Sequence, residues 1–277
     1  MRILDQIKAN KLEEVERAKS DAPLESLRES AAGMPPPRGF ARAIRGGRDP
    51  NAPRVPDGPV QVIAEVKKAS PSVGVIREDF DPAAIARSYA TGGAAAISCL
   101  TDGKFFQGSL DDLRQVRRAV ELPLLRKEFM LDPYQVWEAR AVGADAILLI
   151  AGFVDGEQLA AIRQEARSAG LDVLVEIHHA SELASALDLE PDVLGINNRD
   201  LRTQDFHTDL ATTLDLAATV PPTQTLISES GIRASEDVER LASVGVDGIL
   251  VGEHLMRQAE PGAAIGDQMG VMRGFRV

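Results

Sequence analysis

Charged or amide side chains stand at the ends of several short apolar segments of this sequence, where they could take part in acid–base chemistry. The residues in question are Glu65, Lys67, Lys127, Glu176 and Asn197. Side chains alternate between two faces along an extended segment, so Glu65 and Lys67 share one face. Taken singly, each charge fits a structural salt bridge equally well. Because unpaired charges are costly to bury, their recurrence at several segment ends favours a site in which lysine and glutamate move protons.

The apolar segments alternate with helix-period stretches, a pattern typical of strands that are each followed by a helix. Glycine-containing turns such as TGGA and VGAD end several of the stretches, as expected of helix C-caps. Helices are predicted over residues 81–91, 109–120, 132–142, 155–169, 181–189, 208–220 and 235–244, with a last one near the C-terminus. The eight predicted strands are QVIAEVKK, AAAISCL, LPLLRKEF, DAILLIA, DVLVEIH, VLGINN, TLISES and GILVGE.

Eight apolar strands separated by helices require a parallel sheet that is covered on both faces. An open, doubly wound sheet is the alternative to a closed one. Such a sheet normally carries G-x-G-x-x-G after its first strand, whereas IAEVKK is followed here by ASPSVG. The sequence therefore predicts an α/β fold, a single (β/α)8 TIM barrel, with its active site at the C-terminal ends of the strands.

The last two predicted strands end in glycine-containing turns that favour phosphate binding. Strand seven runs into Ser230 and Gly231, and strand eight into Gly252 and Glu253. Barrels commonly bind phosphate at these two loops through backbone amides. Either turn alone fits ordinary turn chemistry, but the two together favour a phosphate site, to which Ser70 could add a hydroxyl.

Residues 1–59 are predicted to form an N-terminal helical extension and a Pro/Gly-rich connection packed on the barrel, and residues 60–277 the catalytic barrel. Leu4, Ile7, Leu12 and Val15 fall near one face of the first helix, which predicts its buried side. Charge runs usually face water, so we expect the arginines of the connection to be solvated rather than to lean over an anionic site. These arginines are Arg38, Arg42, Arg45, Arg48 and Arg54.

The composition narrows the classes of partner. A net charge of -11 and a pI near 4.9 argue against nucleic-acid binding, which needs a basic surface. The apolar stretches are too short to cross a membrane, and the N-terminus lacks the apolar core of a signal peptide. Cys99 is the only cysteine and lies in an apolar run, so we expect a buried, inert thiol. A cytoplasmic location is expected.

The sequence gives little support for a metal or a covalent nucleophile. His178 and His179 are adjacent and point to opposite faces of an extended segment, and no H-x-x-x-H motif or cysteine cluster occurs. No G-x-S-x-G elbow is present, and Cys99 has no obvious partner. We therefore expect neither a catalytic metal nor a cofactor.

The ordered strings IAEVKKASPS, LLRKEF, LVEIH, GINNRDL, ISESGI and ILVGEHLM closely resemble the strand-end motifs of the indole-3-glycerol phosphate synthase family. The resemblance begins at the N-terminal ILDQIKANKLEEV segment and covers essentially the whole chain. It implies that 1-(2-carboxyphenylamino)-1-deoxyribulose 5-phosphate is the substrate and that its ring closes with loss of carbon dioxide and water. No cofactor or metal is implied.

The resemblance also implies roles for individual residues. Lys127 matches the general acid of ring closure and Glu176 the general base of dehydration, while Glu65 and Asn197 match residues that position the substrate. Lys67 matches the lysine that meets the substrate's negative charges. Val73 stands where many relatives carry lysine. The implied substrate-binding residues are Ser70, Gly231, Gly252 and Glu253 around the phosphate, Ser230 and Arg199 bordering it, and Phe106, Phe129 and Leu148 against the anthranilate ring.

Three rival functions are compatible with parts of this pattern. Phosphoribosylanthranilate isomerase needs a cysteine base near the first strand end, where this chain carries Glu65 and Lys67. A Schiff-base aldolase would use Lys127 or Lys67 as its nucleophile. A noncatalytic barrel that binds a phosphorylated metabolite would have no need of the acid–base cluster. We expect a monomer or weak homodimer, with noncovalent pathway partners as a further possibility.

Overall fold

The structure, a computed structural model, describes residues 3–200 and 207–268. Its core is a closed barrel of eight parallel strands: β1 (Gln61–Val66), β4 (Ala96–Leu100), β5 (Leu124–Lys127), β6 (Ala146–Ile150), β7 (Asp172–Ile177), β8 (Val193–Asn197), β9 (Leu226–Glu229) and β10 (Gly248–Val251). Hydrogen bonds join them in the order β1, β10, β9, β8, β7, β6, β5, β4, and β4 closes the ring onto β1. An antiparallel hairpin of β2 (Ala69–Ser70) and β3 (Gly74–Val75) follows β1.

Helices surround the barrel and precede it. They are α1 (Ile3–Asp21), α2 (Leu24–Ala32), α3 (Phe40–Ile44), α4 (Pro82–Gly92), α5 (Gly103–Phe106), α6 (Leu110–Ala119), α7 (Tyr134–Ala141), α8 (Gly156–Ser168), α9 (Leu183–Asp188), α10 (Ala211–Leu216), α11 (Ser235–Ser243), α12 (Glu253–Met256) and α13 (Ala263–Gln268). The predicted (β/α)8 barrel and its eight strands are thus confirmed. The largest discrepancy in helix ends is at α10, predicted from Thr208 to Val220, where a 3-10 turn at residues 217–219 follows the helix.

Aspartates tie the strands together at the N-terminal end of the barrel. Asp145, Asp192 and Asp247 each stand directly before a barrel strand. Their carboxylates accept hydrogen bonds from backbone amides at the start of the neighbouring strand, at 2.7 Å for Leu124, 2.8 Å for Val173 and 2.9 Å for Leu226. These bonds satisfy amides that would otherwise be buried without a partner. The end of the barrel opposite the site is therefore fixed by side-chain hydrogen bonds.

The Pro/Gly-rich connection runs across this same end. Phe40 and Ile44 of α3 are fully buried, and α3 packs on β1 and β4. The expectation of solvated arginines is wrong for Arg38, Arg48 and Arg54, and Arg48 Nη2 lies 2.6 Å from Asp247 Oδ1. Arg54 Nη1 donates to the carbonyl of Pro221 at 2.8 Å, and Arg38 Nη1 to that of Val120 at 2.8 Å. Guanidinium groups here satisfy carbonyls in the loops that lead into the strands, far from the site.

The buried face of α1 differs from the prediction. Ile7 and Val15 are buried as expected and Leu4 is half-buried, but Leu12 is 48% exposed. Lys11 takes the inner position instead, at 4% exposed. Residues 7, 11 and 15 share one stripe at i, i+4, i+8 spacing, and a lysine is tolerated there because carboxylates surround its ammonium group.

Two expectations from composition hold for the described residues. The Cys99 side chain is fully buried, and burial raises the pKa of its thiol, which leaves it unreactive. Within residues 3–200 and 207–268, none of the helices combines the length and apolar character needed to span a bilayer. Leu201, the last residue of the GINNRDL motif, lies outside the described residues.

Candidate active site

A cavity of about 340 Å³ opens at the C-terminal ends of the barrel strands. Thirteen of the fourteen predicted site residues line it, and Ser70 is the exception. Five lysine or arginine side chains and five glutamates share the lining, in a chain whose formal charge is -11. The charges of the lining therefore balance, so the cavity is less acidic than the chain as a whole, which suits an anionic ligand.

Lys127 lies at the centre of the charged cluster. It ends β5, and its ammonium group reaches across the lumen to carboxylates on β7 and β9. Lys127 Nζ lies 2.8 Å from Glu176 Oε2 and also donates to Glu229 Oε2. Both glutamates are at most 1% exposed, so the three groups interact with little screening by water. One ammonium is thus shared by two carboxyl groups.

The two carboxyl groups differ in proton affinity. Burial alone would raise the pKa of Glu176, but the Lys127 ammonium outweighs burial and lowers that pKa to about 2. For Glu229 burial is the largest effect and, with the charge of Glu176, raises its pKa to about 8. Burial also opposes the charge of Lys127, but the nearby carboxylates raise its pKa above the ordinary value. At neutral pH the cluster holds a carboxylate, a protonated carboxyl and an ammonium, which is an acid–base set.

Neighbouring residues hold the two glutamates in place. The side chain of Asn197 lies close to Glu176 and helps to lower its pKa, which favours the ionised carboxylate. Asn197 Oδ1 in turn accepts from the Arg199 amide at 3.0 Å, which orients the side-chain amide. Gly195 makes room for Glu229, since a Cβ on residue 195 would lie 2.4 Å from Glu229 Oε1. The glycine in β8 is therefore a condition for the carboxyl group of β9.

Glu65 and Lys67 form a second acid–base pair on β1 and just after it. As the alternation predicted, both line the cavity, and Lys67 Nζ lies 2.5 Å from Glu65 Oε1. A Cβ on Gly252 would lie 2.2 Å from Glu65 Oε1 and 3.0 Å from Lys67 Nζ. Only glycine at the end of β10 leaves room for this pair.

One wall of the cavity is aromatic. The rings of Phe106 and Phe129 lie 6.0 Å apart between centroids, and Phe129 lies 5.4 Å from Phe153 behind it. The tilted ring pairs have the geometry of favourable aromatic contacts. Leu148 and Ile150 complete an apolar surface against which a planar ring can pack.

The loops after β9 and β10 form the other end of the cavity. Ser230 and Gly231 both have positive φ, at 67° and 78°, and two such residues in succession can turn neighbouring amides toward one point. Arg199 and Arg257 both pair with Glu253, at 3.4 Å and 3.0 Å. This end therefore offers backbone amides and two guanidinium groups within reach of an anion.

The sequence profile of the indole-3-glycerol phosphate synthase family matches residues 4–267. The chain belongs to the indole-3-glycerol phosphate synthase family. The protein of that name from Acidithiobacillus ferrooxidans is 48% identical over 263 residues, which cover 95% of this chain and 97% of the relative. The one from Leptothrix cholodnii is 49% identical over 263 residues, with the same coverage.

Solved structures with the same fold are more distant in sequence. The 3-hexulose-6-phosphate synthase from Salmonella typhimurium matches with a TM-score of 0.61 at 12% identity, over 77% of this chain and 98% of that one. Thiamine phosphate pyrophosphorylase from Pyrococcus furiosus matches with a TM-score of 0.56 at 17% identity, over 74% and 92% of the two chains. At these identities the likeness concerns the barrel fold alone.

In this member of the synthase family, Ser70 lies apart from the residues that line the cavity. It is buried in the β2–β3 hairpin, and its hydroxyl lies 3.2 Å from that of Ser72. Its contact with phosphate stays a prediction. Among residues 3–200 and 207–268, no group of three or more His, Cys, Asp or Glu is arranged to hold a metal ion.

Sequence reasoning missed Glu229 as a member of the acid–base cluster. Glu229 ends β9 and is in register with Asn197 of β8. The signal available in the sequence was the glutamate near the end of the apolar strand LISE, which resembles the charged residues near the ends of β7 (DVLVEI) and β5 (LLRK). Arg257 and Arg233 also line the cavity, but no strand-end pattern marked them.

Proposed function

We propose that this chain converts 1-(2-carboxyphenylamino)-1-deoxyribulose 5-phosphate to indole-3-glycerol phosphate, as a carbon–carbon carboxy-lyase that uses its own side chains as acids and bases. Lys127 held between an ionised Glu176 and a protonated Glu229 is the observation that carries the proposal. An aromatic wall and an anion-binding end in the same cavity match the two ends of that substrate.

Substrate binding follows from the three parts of the molecule. We place the anthranilate ring against Phe106, Phe129 and Leu148, where burial of apolar surface favours it. The phosphate lies at the amides after β9 and β10, where glycine backbone allows close approach. Arg199 borders this anion, and Lys67 meets the negative charge of the substrate. The phosphate-binding set is Ser70, Gly231, Gly252 and Glu253, the last three through backbone amides, and Ser230 borders it.

The reaction determines which protons the site must supply and which it must accept. A bond forms between the ring carbon that bears the carboxylate and the ketone carbon, and the ketone oxygen takes up a proton. The carboxylate then leaves as carbon dioxide, and its bonding electrons restore aromaticity. Water leaves when the hydroxyl takes up a second proton and the adjacent CH2 carbon gives one to a base. One proton is consumed overall, so the site needs both acids and a base.

Lys127 is the acid of ring closure. The neighbouring carboxylates keep its ammonium charged, so a proton is available where the ketone oxygen becomes an alkoxide. Glu229 keeps its carboxyl proton at neutral pH and contacts Lys127, so it can restore the lysine proton for the next step. Both protons that the oxygen needs can thus come from one cluster.

Glu176 is the base of dehydration. It is ionised, buried and held by Lys127, and it lines the cavity, so it can accept a proton from the substrate in a fixed orientation. Glu65 and Asn197 position the substrate, and the 2.5 Å contact between Glu65 Oε1 and Lys67 Nζ fixes both side chains at the cavity wall. The proposed acid on β5 and the proposed base on β7 are separated by a single strand, β6.

The aldolase alternative is disfavoured by the charge of Lys127. A Schiff base needs a neutral amine, whereas two carboxyl groups hold this lysine as ammonium. The isomerase alternative lacks its cysteine, because the only thiol of the sequence, Cys99, is buried in β4 and does not stand at the end of β1. A noncatalytic binding barrel is the alternative that the assay below must separate.

We propose that the enzyme works in the cytoplasm on this phosphorylated metabolite, as a monomer or weak homodimer with noncovalent pathway partners. Among the described residues the exposed large apolar side chains are scattered over α1, α2, the connection and the β2–β3 hairpin, which fits a protein without a large obligate interface. Sedimentation at several protein concentrations tests the oligomeric state.

A turnover assay tests the activity. The purified protein is mixed with the carboxyphenylamino-deoxyribulose phosphate and a metal chelator, and indole fluorescence is followed. We expect product to form at the same rate with and without chelator. A folded protein that binds the substrate but forms no product would support the noncatalytic barrel instead.

A further inference from the structure

Lys11 of α1 lies beside the aromatic wall, although it belongs to the N-terminal extension rather than to the barrel. Its ammonium group is 3.0 Å from Asp102 Oδ2, 3.0 Å from Glu128 Oε1 and 2.5 Å from Glu14 Oε2. The Asp102 carboxylate is fully buried and Glu128 is 4% exposed. Three carboxylates therefore converge on one buried lysine outside the acid–base cluster.

Asp102 holds the helix that carries Phe106. It lies just after β4 and caps α5, because its Oδ1 accepts from the Phe105 amide at 2.7 Å. Its backbone carbonyl accepts from the Gly108 amide at 2.9 Å and closes the loop behind α5. Any movement of the Asp102 carboxylate toward water would move the start of α5 and, with it, the Phe106 ring.

Glu128 holds the backbone that carries Phe129. Its Oε1 accepts from the Phe129 amide at 2.8 Å, and its Oε2 accepts from the Thr101 hydroxyl at 2.8 Å. Arg126 lies 3.7 Å away and supplies a second, weaker positive charge. Glu128 itself lines the cavity. The two carboxylates that Lys11 neutralises thus fix the two rings that face each other at 6.0 Å.

Burial of these carboxylates depends on a positive charge. Removing one partner of a buried ion pair leaves the other without compensation, and this costs far more than the loss of a surface pair. The carboxylates of Glu128 and Asp102 outweigh the effect of burial and raise the pKa of Lys11, so the charge is present throughout the working range of pH. Among residues 3–200 and 207–268 no other cation contacts Asp102, so without Lys11 this carboxylate must take up a proton or move.

We propose that Lys11 is a positioning residue for the aromatic end of the substrate pocket: its ammonium group neutralises Asp102 and Glu128 and so sets the positions of Phe106 and Phe129. The inference rests on the proposed function, because it takes these rings as the surface that meets the anthranilate part of the substrate. It assigns the N-terminal extension a part in substrate recognition.

Binding of two small probes tests the inference directly. The affinity of 2-aminobenzoate, followed by its fluorescence, reports on the aromatic end, and the affinity of inorganic phosphate reports on the other end. We expect Lys11→Met to weaken 2-aminobenzoate binding about tenfold and to leave phosphate binding unchanged. In turnover, KM for the substrate should rise and kcat should stay close to that of the wild type, since Lys127 is untouched. Lys11→Arg should restore both.

Two further variants separate positioning from stability. Lys19→Met removes another ion pair of the same helix, to Asp132 at 2.7 Å, and should bind 2-aminobenzoate as the wild type does. Lys11→Met combined with Asp102→Asn removes the uncompensated carboxylate but keeps an acceptor for the α5 cap. The affinity of this double variant for 2-aminobenzoate should return to within about threefold of the wild-type value. If Lys11→Met alone does not fold, the double variant is used for the test instead.

The inference is overturned if folded Lys11→Met binds 2-aminobenzoate normally, if Lys19→Met is equally weakened, if phosphate affinity falls in parallel, or if the double variant does not recover. These outcomes are independent of the proposed function. An inactive wild-type protein would refute the proposed reaction, whereas probe binding by the variants would still decide the role of Lys11.

Discussion

Glu229 and Glu176 share the ammonium group of Lys127, and the sharing gives the two carboxyl groups opposite protonation at neutral pH. Like charges this close cannot both ionise without cost, so the cluster settles with one proton on Glu229. The arrangement supplies an acid and a base within one hydrogen-bonded unit, and it makes the stability of the barrel depend on pH.

Replacing Glu229 with Gln should flatten the pH dependence of stability above pH 5. Its pKa in the folded protein is about 8 against an ordinary 4.5, so between these values the folded state holds a proton that the unfolded chain has lost. The free energy of unfolding of the wild type therefore falls as pH rises through this window, by about 1 kcal/mol or more from pH 5 to pH 8. Urea unfolding at both values, with Glu229→Gln alongside, measures the difference. An equal fall in both proteins would contradict the raised pKa.

Gly252→Ala should impair catalysis without unfolding the protein. The added methyl group would lie 2.2 Å from Glu65 Oε1, so the Glu65–Lys67 pair must move. Gly252 has a negative φ, so the effect is steric rather than a backbone strain. We expect kcat/KM to fall about 100-fold. Gly156→Ala, at a position with open space around it, is the matched control and should retain full activity.

Arg199→Leu should raise KM more than it lowers kcat. The guanidinium borders the proposed phosphate end and touches no group of the Lys127 cluster, so its loss removes binding that ground state and transition state share. We expect KM to rise roughly tenfold, and added salt should weaken substrate binding in the wild type more than in the variant. Arg114→Leu on the exposed face of α6 serves as the control. An unchanged KM in Arg199→Leu would contradict a contribution of Arg199 to substrate binding.

Arg54→Met should lower stability and leave turnover intact. Arg54 donates to the carbonyls of Pro221, Gln224 and Ala217 at the N-terminal end of the barrel, and these groups would lose their partner. The expected loss in the free energy of unfolding is about 2 kcal/mol. Arg42→Met, at an exposed position of α3, should change it little. A fall in kcat for the folded variant would contradict the structural role.

The barrel and most of the site could be predicted from the sequence because both follow from the periodic spacing of apolar residues along the chain. Strands buried on both faces leave continuous apolar runs, and the polar residues that end them are forced to the same mouth, as at Glu65, Lys127 and Glu176. The buried position of Lys11 could not be predicted in this way. It depends on the carboxylates of Asp102 and Glu128, which are distant in the sequence. Arg54 was missed for the same reason, because its carbonyl partners belong to a distant loop.

The roles of Lys127 and Glu176 are separated most directly by the release of carbon dioxide in a single turnover. Ring closure precedes decarboxylation, and dehydration follows it. With enzyme in excess over substrate, the account predicts that Lys127→Ala releases carbon dioxide about 1000-fold more slowly than the wild type, while Glu176→Gln releases it at a near-normal rate but forms no indole. Normal release by folded Lys127→Ala, or loss of release in Glu176→Gln, would contradict the assignment of acid and base.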